Sequence, residues 1–351
     1  MNFAQLKLIM VEAMKNNPYF LQPFLLGALL FCSPVLIAGE PDTTASDTTD
    51  QDSIAPHDFS DLTNFELHDL PYTARLDSLM MMEIFAGDSL SAPEDSTLLS
   101  DYPQPADSVY RQRLDAMNRR SPLHYTYNET VRAFIDLYAE RRREQVSRML
   151  GLARYYFPMF EQTLDQYDMP LEIKYLAIVE SALQPGAHSR AGAQGIWQFM
   201  YSTARVNGLR ISSYVDERGD PLKATRAACQ YLKKLHNIFG DWDLALAAYN
   251  SGPGNVSKAI RYSGGAKSYW AIRPFLPRET AGYVPAFIAA SYVMNYASEH
   301  EIYPQDVKRS FFATDTVHIE QKISFQQVSE LLDIPIEEIA FLNPSYRHNI
   351  I

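Results

Sequence analysis

Glu180-Ser181 is followed by Gly192-Ala193-Gln194-Gly195-Ile196-Trp197-Gln198-Phe199-Met200 and then by Ala248-Tyr249-Asn250-Ser251-Gly252-Pro253-Gly254-Asn255-Val256. These three short blocks decide how the rest of the chain is read. Glu180 lies beside Ile178, Val179 and Ala182, close to where Pro185-Gly186 ends a predicted helix. Gly192 and Gly195 permit a tight turn with close backbone approach between that helix and the next. Tyr249 and Asn250 end a further helix just before Ser251-Gly252-Pro253-Gly254, which leaves both side chains free to project into a groove.

Working outward, helical signals dominate from Tyr125 onward. Val131, Phe134, Ile135, Leu137, Tyr138, Val146, Met149 and Leu150 recur at mixed three-and-four spacing and predict one long amphipathic helix over Thr126 to Ala153. Arg141-Arg142-Arg143 falls on it and reads as a solvated face rather than a nucleic-acid patch. Asp168-Met169-Pro170 opens a helix from Leu171 to about Leu183, with Asp168 the capping candidate. Asp220-Pro221 to Phe239-Gly240 carries a cap, a first-turn proline and a terminal glycine, Asp241 caps a helix through Ala248, and Glu279 to Ala297 gives one more. No stretch of this region alternates with period two for long, so the expected fold is mainly α.

The net charge of −11 is unevenly placed. From Glu40 to Tyr110 there are 16 acidic residues against one basic, whereas Leu150 to His300 holds 15 basic against 12 acidic. The acidity belongs to a Ser/Thr/Asp/Pro-rich segment that cannot bury a core and reads as a flexible linker over residues 40–107, with Leu79-Met80-Met81-Met82 as a local docking patch. The motif region is mildly basic, which suits an anionic polymer. Lys7 and Lys15 precede an apolar run from Phe24 to Ala38, and the pattern predicts a secretory signal peptide over residues 1–39, hence export, with an uncleaved anchor helix as the competing reading. Phe31 before Cys32 departs from the lipoprotein pattern. Once the signal is removed Cys229 stands alone, expected as a buried structural thiol.

A carboxylic acid in an apolar setting near a helix end is held neutral and can donate a proton, which is the role that chemistry such as glycosidic-bond cleavage requires at the leaving oxygen. Glu180 is suitably placed. Most glycosidases add a second carboxylate, yet the next acidic residue is Asp216 and the intervening block has none. A lone acid favours chemistry in which the substrate supplies the nucleophile; a carboxylate brought in from elsewhere in the fold is the alternative.

The three blocks, in this order and spacing, resemble the signature of the soluble-lytic-transglycosylase (SLT) family of lysozyme-like enzymes, most closely the membrane-bound lytic murein transglycosylase D type. The resemblance covers roughly residues 170–297 of a catalytic domain placed at 108–305. It implies a lysozyme-like α fold, peptidoglycan glycan strands as partner, a periplasmic or cell-envelope location, no cofactor, and Glu180 as the catalytic residue. It further implies that Ser189 contacts the acid or the substrate acetamido group, that Gln198, Phe199 and Met200 line the cleft, and that Tyr249 and Asn250 line the sugar site. Glu279-Thr280-Ala281-Gly282-Tyr283-Val284 resembles a fourth block whose tyrosine, here Tyr283, hydrogen-bonds the acid; Glu279 reads equally as a helix cap. Trp197 is expected in the core. Tyr201 stands where the family usually has proline.

After Phe311 the signal changes. Thr316-Val317-His318-Ile319 reads as a short strand, and Ser324 to Pro335 followed by Ile336 to Pro344 resembles the two helices of a LysM glycan-binding module, with Leu342-Asn343-Pro344 its most telling element. The module, placed at 312–351, lacks the usual Gly-Asp-Thr-Leu opening and stops before a closing strand could be completed, as a truncated or a degenerate βααβ unit. No metal is expected, because the eight histidines form no pair at ligand spacing. No nucleic-acid partner is expected either, and Gly252-Pro253-Gly254 lacks the lysine and hydroxyl of a phosphate loop. Two other readings stay open: a goose-type hydrolase of the same fold that admits water, and a non-catalytic cell-wall-binding protein.

Overall fold

The computed structural model describes residues 105–306, 316–319 and 321–351. The predicted signal segment, nearly all of the acidic linker and the patch at Leu79–Met82 lie outside the described residues. What is described is mainly helical, as expected. Helices α1 (Asp107–Asn118), α2 (Glu129–Asp136) and α3 (Arg143–Gln166) lead into a 3-10 turn (Leu171–Tyr175) and the short α4 (Leu176–Ser181). Then come α5 (Tyr201–Val206), α6 (Pro221–Phe239), α7 (Trp242–Ser251), α8 (Pro253–Tyr262), α9 (Tyr269–Ile272) and α10 (Thr280–Asn295).

Helix α10 is the centre of the domain. Every residue from Tyr283 to Val293 is buried, and a helix apolar on all sides must be enclosed by its neighbours. It packs on α2, α7 and α4, while α6 packs on α3 and α7. Pro285 sits inside α10 and has no N–H for the carbonyl four residues earlier, which belongs to Ala281. That carbonyl is satisfied from outside the helix: the Tyr269 hydroxyl donates to it at 2.9 Å and Arg273 Nε at 2.7 Å. The start of α10, where the fourth block lies, is thereby tied to α9.

The boundary chemistry of α6 and α7 is as expected. Asp220 accepts from Lys223 N at 3.0 Å, Pro221 takes the first turn, Gly240 ends α6 in the left-handed region, and Asp241 accepts from Leu244 N at 2.9 Å. Cys229 is buried on α6, and burial pushes its thiol up to about 12, so the thiolate is suppressed.

Four expectations are corrected. The single helix over 126–153 is two helices separated by a π-type turn at Leu137–Arg141, with Arg142 leaving the helical region. The inserted residue is what the mixed three-and-four spacing had concealed. Of the three arginines there, Arg143 is no loose solvated group, since it donates to the Ala139 carbonyl at 2.9 Å and the Glu301 carbonyl at 3.0 Å. Asp168 does not cap the next helix: Pro170 holds the cap position, and Asp168 is left in a left-handed turn. Residues 316–319 carry no strand.

The C-terminal segment forms α11 (Phe325–Leu332) and α12 (Ile336–Leu342), the two expected helices. Ser324 and Gln327 close a capping box on α11. Among the described residues of the unit, the β part is an antiparallel pairing of 323–325 with 349–351, through Ile351 N to Ile323 O at 2.9 Å and Phe325 N to Asn349 O at 2.8 Å.

Candidate active site

Glu180 is the penultimate residue of α4, which ends abruptly because Ala182 and Leu183 both adopt positive φ, 51° and 64°. Left-handed geometry at two consecutive non-glycine residues costs free energy and persists only where the surroundings impose it. Here the Ser181 hydroxyl imposes it from inside. Ser181 is fully buried; its Oγ donates to the Ala177 carbonyl at 3.1 Å and the Ile196 carbonyl at 2.9 Å, and it accepts from Gln184 N at 3.2 Å. The residue beside the acid therefore welds α4 to the loop carrying the second motif.

That loop folds on itself. Gln194 pairs with both His188 and Phe199, and Gly195 N donates to the Ala187 carbonyl at 2.9 Å. Gly195 has φ +90°, and a Cβ there would lie 1.8 Å from the Arg218 carbonyl oxygen. The glycine is required on both counts. Trp197 is wholly buried, packs on Phe160 with ring centroids 5.3 Å apart, and donates Nε1 to Thr225 Oγ1 at 2.8 Å. It belongs to the core, as expected, and its carbonyl accepts the Tyr249 hydroxyl at 2.8 Å.

Tyr283, one turn into α10 and buried, donates its hydroxyl to Glu180 Oε1. Burial and the neighbouring Glu180 charge hold the Tyr283 hydroxyl well above the usual tyrosine range, so it stays a donor. Tyr249 is shifted in the same direction by burial first and Glu180 second. Asn250 bridges the third and fourth blocks: its Nδ2 donates to Glu279 Oε1 at 3.0 Å and its Oδ1 accepts from Thr280 Oγ1 at 2.8 Å. Glu279 precedes α10 without capping it by a side-chain bond; its carboxylate holds Asn250 instead.

Glu180, Tyr249, Asn250 and Tyr283 are thus gathered from three helices against one loop. Gln198 lies in that loop at φ 46°, with Nε2 on the carbonyls of Gly195 (2.8 Å) and Ala187 (3.2 Å) and a buried Oε1 that has no hydrogen-bond partner. Phe199 is buried with its ring edge to Tyr249, and Met200 is 39% exposed at the start of α5. Ser189 Oγ accepts from Ala193 N at 2.8 Å, closing the loop, a bond that leaves its hydroxyl proton available to donate. A separate open pocket of about 420 Å³, lined by Arg111, Asp115, His124 and Tyr125 to Tyr127, includes none of these residues.

Sequence reasoning passed over Arg218. It is 6% exposed and donates to the carbonyls of Gly192 (2.8 Å) and Phe199 (3.1 Å) and to Gln194 Oε1 (3.0 Å), clamping both ends of the motif loop. Its charge is balanced by Asp216, itself fully buried. Burial opposes ionisation of Asp216, but hydrogen bonds from Arg218 and Arg347 outweigh it and hold the carboxyl below the usual range. The only trace in the sequence is a cluster of mixed charge, Asp216-Glu217-Arg218-Gly219-Asp220, just ahead of a helix.

The region that carries the acid and the glycine-turned loop is similar in sequence to known lytic transglycosylases. Residues 157–272 match the transglycosylase SLT domain, and residues 313–351 match the LysM-like domain of lytic transglycosylase MltD. The chain is 36% identical over 180 residues to membrane-bound lytic murein transglycosylase D of Escherichia coli K12, an alignment covering 50% of this chain and 39% of that protein. It is 32% identical over 139 residues to the soluble lytic murein transglycosylase of Salmonella typhimurium, covering 37% and 21%. Among solved structures, the 70 kDa soluble lytic transglycosylase of Escherichia coli is similar with TM-score 0.35 and 28% identity, over 41% of this chain and 24% of that one. The aligned part thus spans well under half the length of these relatives.

Proposed function

We propose that this chain is a peptidoglycan lytic transglycosylase that cleaves the β-1,4 bond between N-acetylmuramic acid and N-acetylglucosamine with Glu180 as its single acid and base. The observation that carries the reading is the Tyr283 hydrogen bond to Glu180 Oε1 beside the Ser181-anchored motif loop. It leaves one carboxyl oxygen held and the group fixed in orientation, as proton transfer at a defined atom requires.

Glu180 in its acid form protonates the glycosidic oxygen as the C1–O bond breaks, and the leaving N-acetylglucosamine departs as an alcohol. The acetamido oxygen of the muramyl residue stabilises the cationic C1. The carboxylate then removes the proton from the muramyl 6-hydroxyl, whose oxygen closes onto C1. A 1,6-anhydro product forms, no water is consumed, and Glu180 regains its proton. Tyr283 steadies the acid throughout, while Tyr249, Asn250, Gln198 and Met200 border the sugar-binding side. Ser189, whose Oγ closes the loop by accepting from Ala193 N, donates its hydroxyl proton to the acid or to the substrate acetamido group on this reading. Export to a bacterial cell envelope follows from the substrate and from the predicted signal segment.

Mass spectrometry of fragments released from purified peptidoglycan tests the reading. Muropeptides ending in 1,6-anhydromuramic acid are expected; hydrated reducing ends would identify a goose-type hydrolase instead, and no release would favour a cell-wall-binding protein.

A further inference from the structure

The C-terminal module and the motif loop are joined by a continuous set of polar contacts. Arg347, in the module, donates Nη2 to Asp216 Oδ2. The same oxygen accepts from Arg218 Nη2 at 2.8 Å, and Asp216 Oδ1 accepts from Arg218 Nε at 3.0 Å. Arg218 in turn holds Gly192, Gln194 and Phe199 of the loop. The backbones join as well: Asp216 N donates to Ser345 O at 2.8 Å, Arg347 N donates to Tyr214 O at 2.9 Å, and Val215 pairs with Tyr346. Close approach is built in, since a Cβ on Gly219 would lie 2.8 Å from the Pro344 carbonyl oxygen. Pro344 belongs to the Leu342-Asn343-Pro344 element, which here serves a protein contact.

Asp216 explains why the module matters. Its side chain is 1% exposed, and a carboxylate so buried stays charged only when well paired. Arg218 spends its donors on both Asp216 and the loop, and Arg347 supplies the second cation. We propose that the C-terminal module braces the motif loop, with Arg347 a positioning residue that acts on the loop through Asp216 and Arg218. The activity part of this inference rests on the lytic reading; the loop-ordering part does not.

The test uses the full chain and three variants, Arg347→Ala, Arg347→Lys and Gly219→Ala. Arg347 is 40% exposed, so its truncation is compatible with folding; Gly219→Ala keeps every charged group and displaces Pro344 instead. Hydrogen exchange of the amides from Ala187 to Phe199 is read without substrate. Arg347→Ala and Gly219→Ala are expected to raise it about tenfold, as loss of a hydrogen bond to a charged group would, with partial restoration in Arg347→Lys. On a soluble, uncrosslinked glycan of alternating N-acetylglucosamine and N-acetylmuramic acid, kcat should fall about as much, with KM little changed. Wild-type exchange in both Arg347→Ala and Gly219→Ala overturns the brace, and so does a rise in KM alone, which would make Arg347 a glycan contact. An inactive wild-type chain with altered loop exchange in the variants would defeat the lytic reading and leave the brace standing.

Discussion

Tyr283 donates its hydroxyl to Glu180 Oε1 across 103 residues of chain. The pair joins α4 to α10, in which every residue from Tyr283 to Val293 is buried, so the acid is referenced to the core rather than to a loop. Replacing Tyr283 with Phe removes one donor and little volume. Turnover of peptidoglycan is expected to fall about ten- to a hundredfold with the fold retained, measured as kcat and thermal midpoint side by side. Unchanged kcat would mean that Glu180 does not rely on this bond.

Gly195→Ala places a Cβ 1.8 Å from the Arg218 carbonyl at a positive φ of 90°. Neither the clash nor the backbone strain can relax locally, because Arg218 is fixed by Asp216. Destabilisation above about 3 kcal/mol is expected in denaturant unfolding, or failure to accumulate as folded protein.

Trp197→Phe keeps an aromatic ring against Phe160 and deletes the 2.8 Å bond to Thr225 Oγ1. Thr225 keeps its own donation to the Pro221 carbonyl at 2.6 Å. Stability should drop by about 1 to 3 kcal/mol, with activity preserved below the new melting transition. A selective loss of activity would place Trp197 in the cleft after all.

Asp243, 7% exposed in the first turn of α7, is pushed up to about 7 by burial and, to a lesser degree, by Asp241. The folded state therefore holds its proton when the unfolded chain, at the ordinary value of 3.8, has released it. Stability should decline as pH rises from about 4 to about 7 and level off above. Asp243→Asn abolishes that share of the decline and raises stability at pH 8 by about 1 to 4 kcal/mol, checked by unfolding across pH.

Helix boundaries with local chemistry were legible in the sequence: Asp220-Pro221, Gly240 and Asp241 act through neighbours within four residues. The break after Asp136 was not legible, since a π-type turn keeps Tyr138 and Ala139 buried and so preserves the apolar pattern that a straight helix would give. Asp168 misled because its cap position depends on where the 3-10 turn starts, which packing decides. In the site, Glu180 and Tyr283 could be named from motif blocks, but the bond from Ala193 N to Ser189 Oγ could not, because a serine in a loop reads alike whether or not it closes its own turn. Arg218 and Arg347 escaped for a different reason: their meaning lies in the burial of Asp216, which exists only once the 214–219 segment and the C-terminal module come together.

The most direct measurement is the product spectrum of Glu180→Gln on purified peptidoglycan beside the wild type, with matched thermal midpoints. Glutamine keeps the shape and can still accept from Tyr283, but it can neither give nor take the proton. The account predicts anhydromuropeptides from the wild type and none from the variant. Anhydromuropeptides released at an undiminished rate by Glu180→Gln would contradict it.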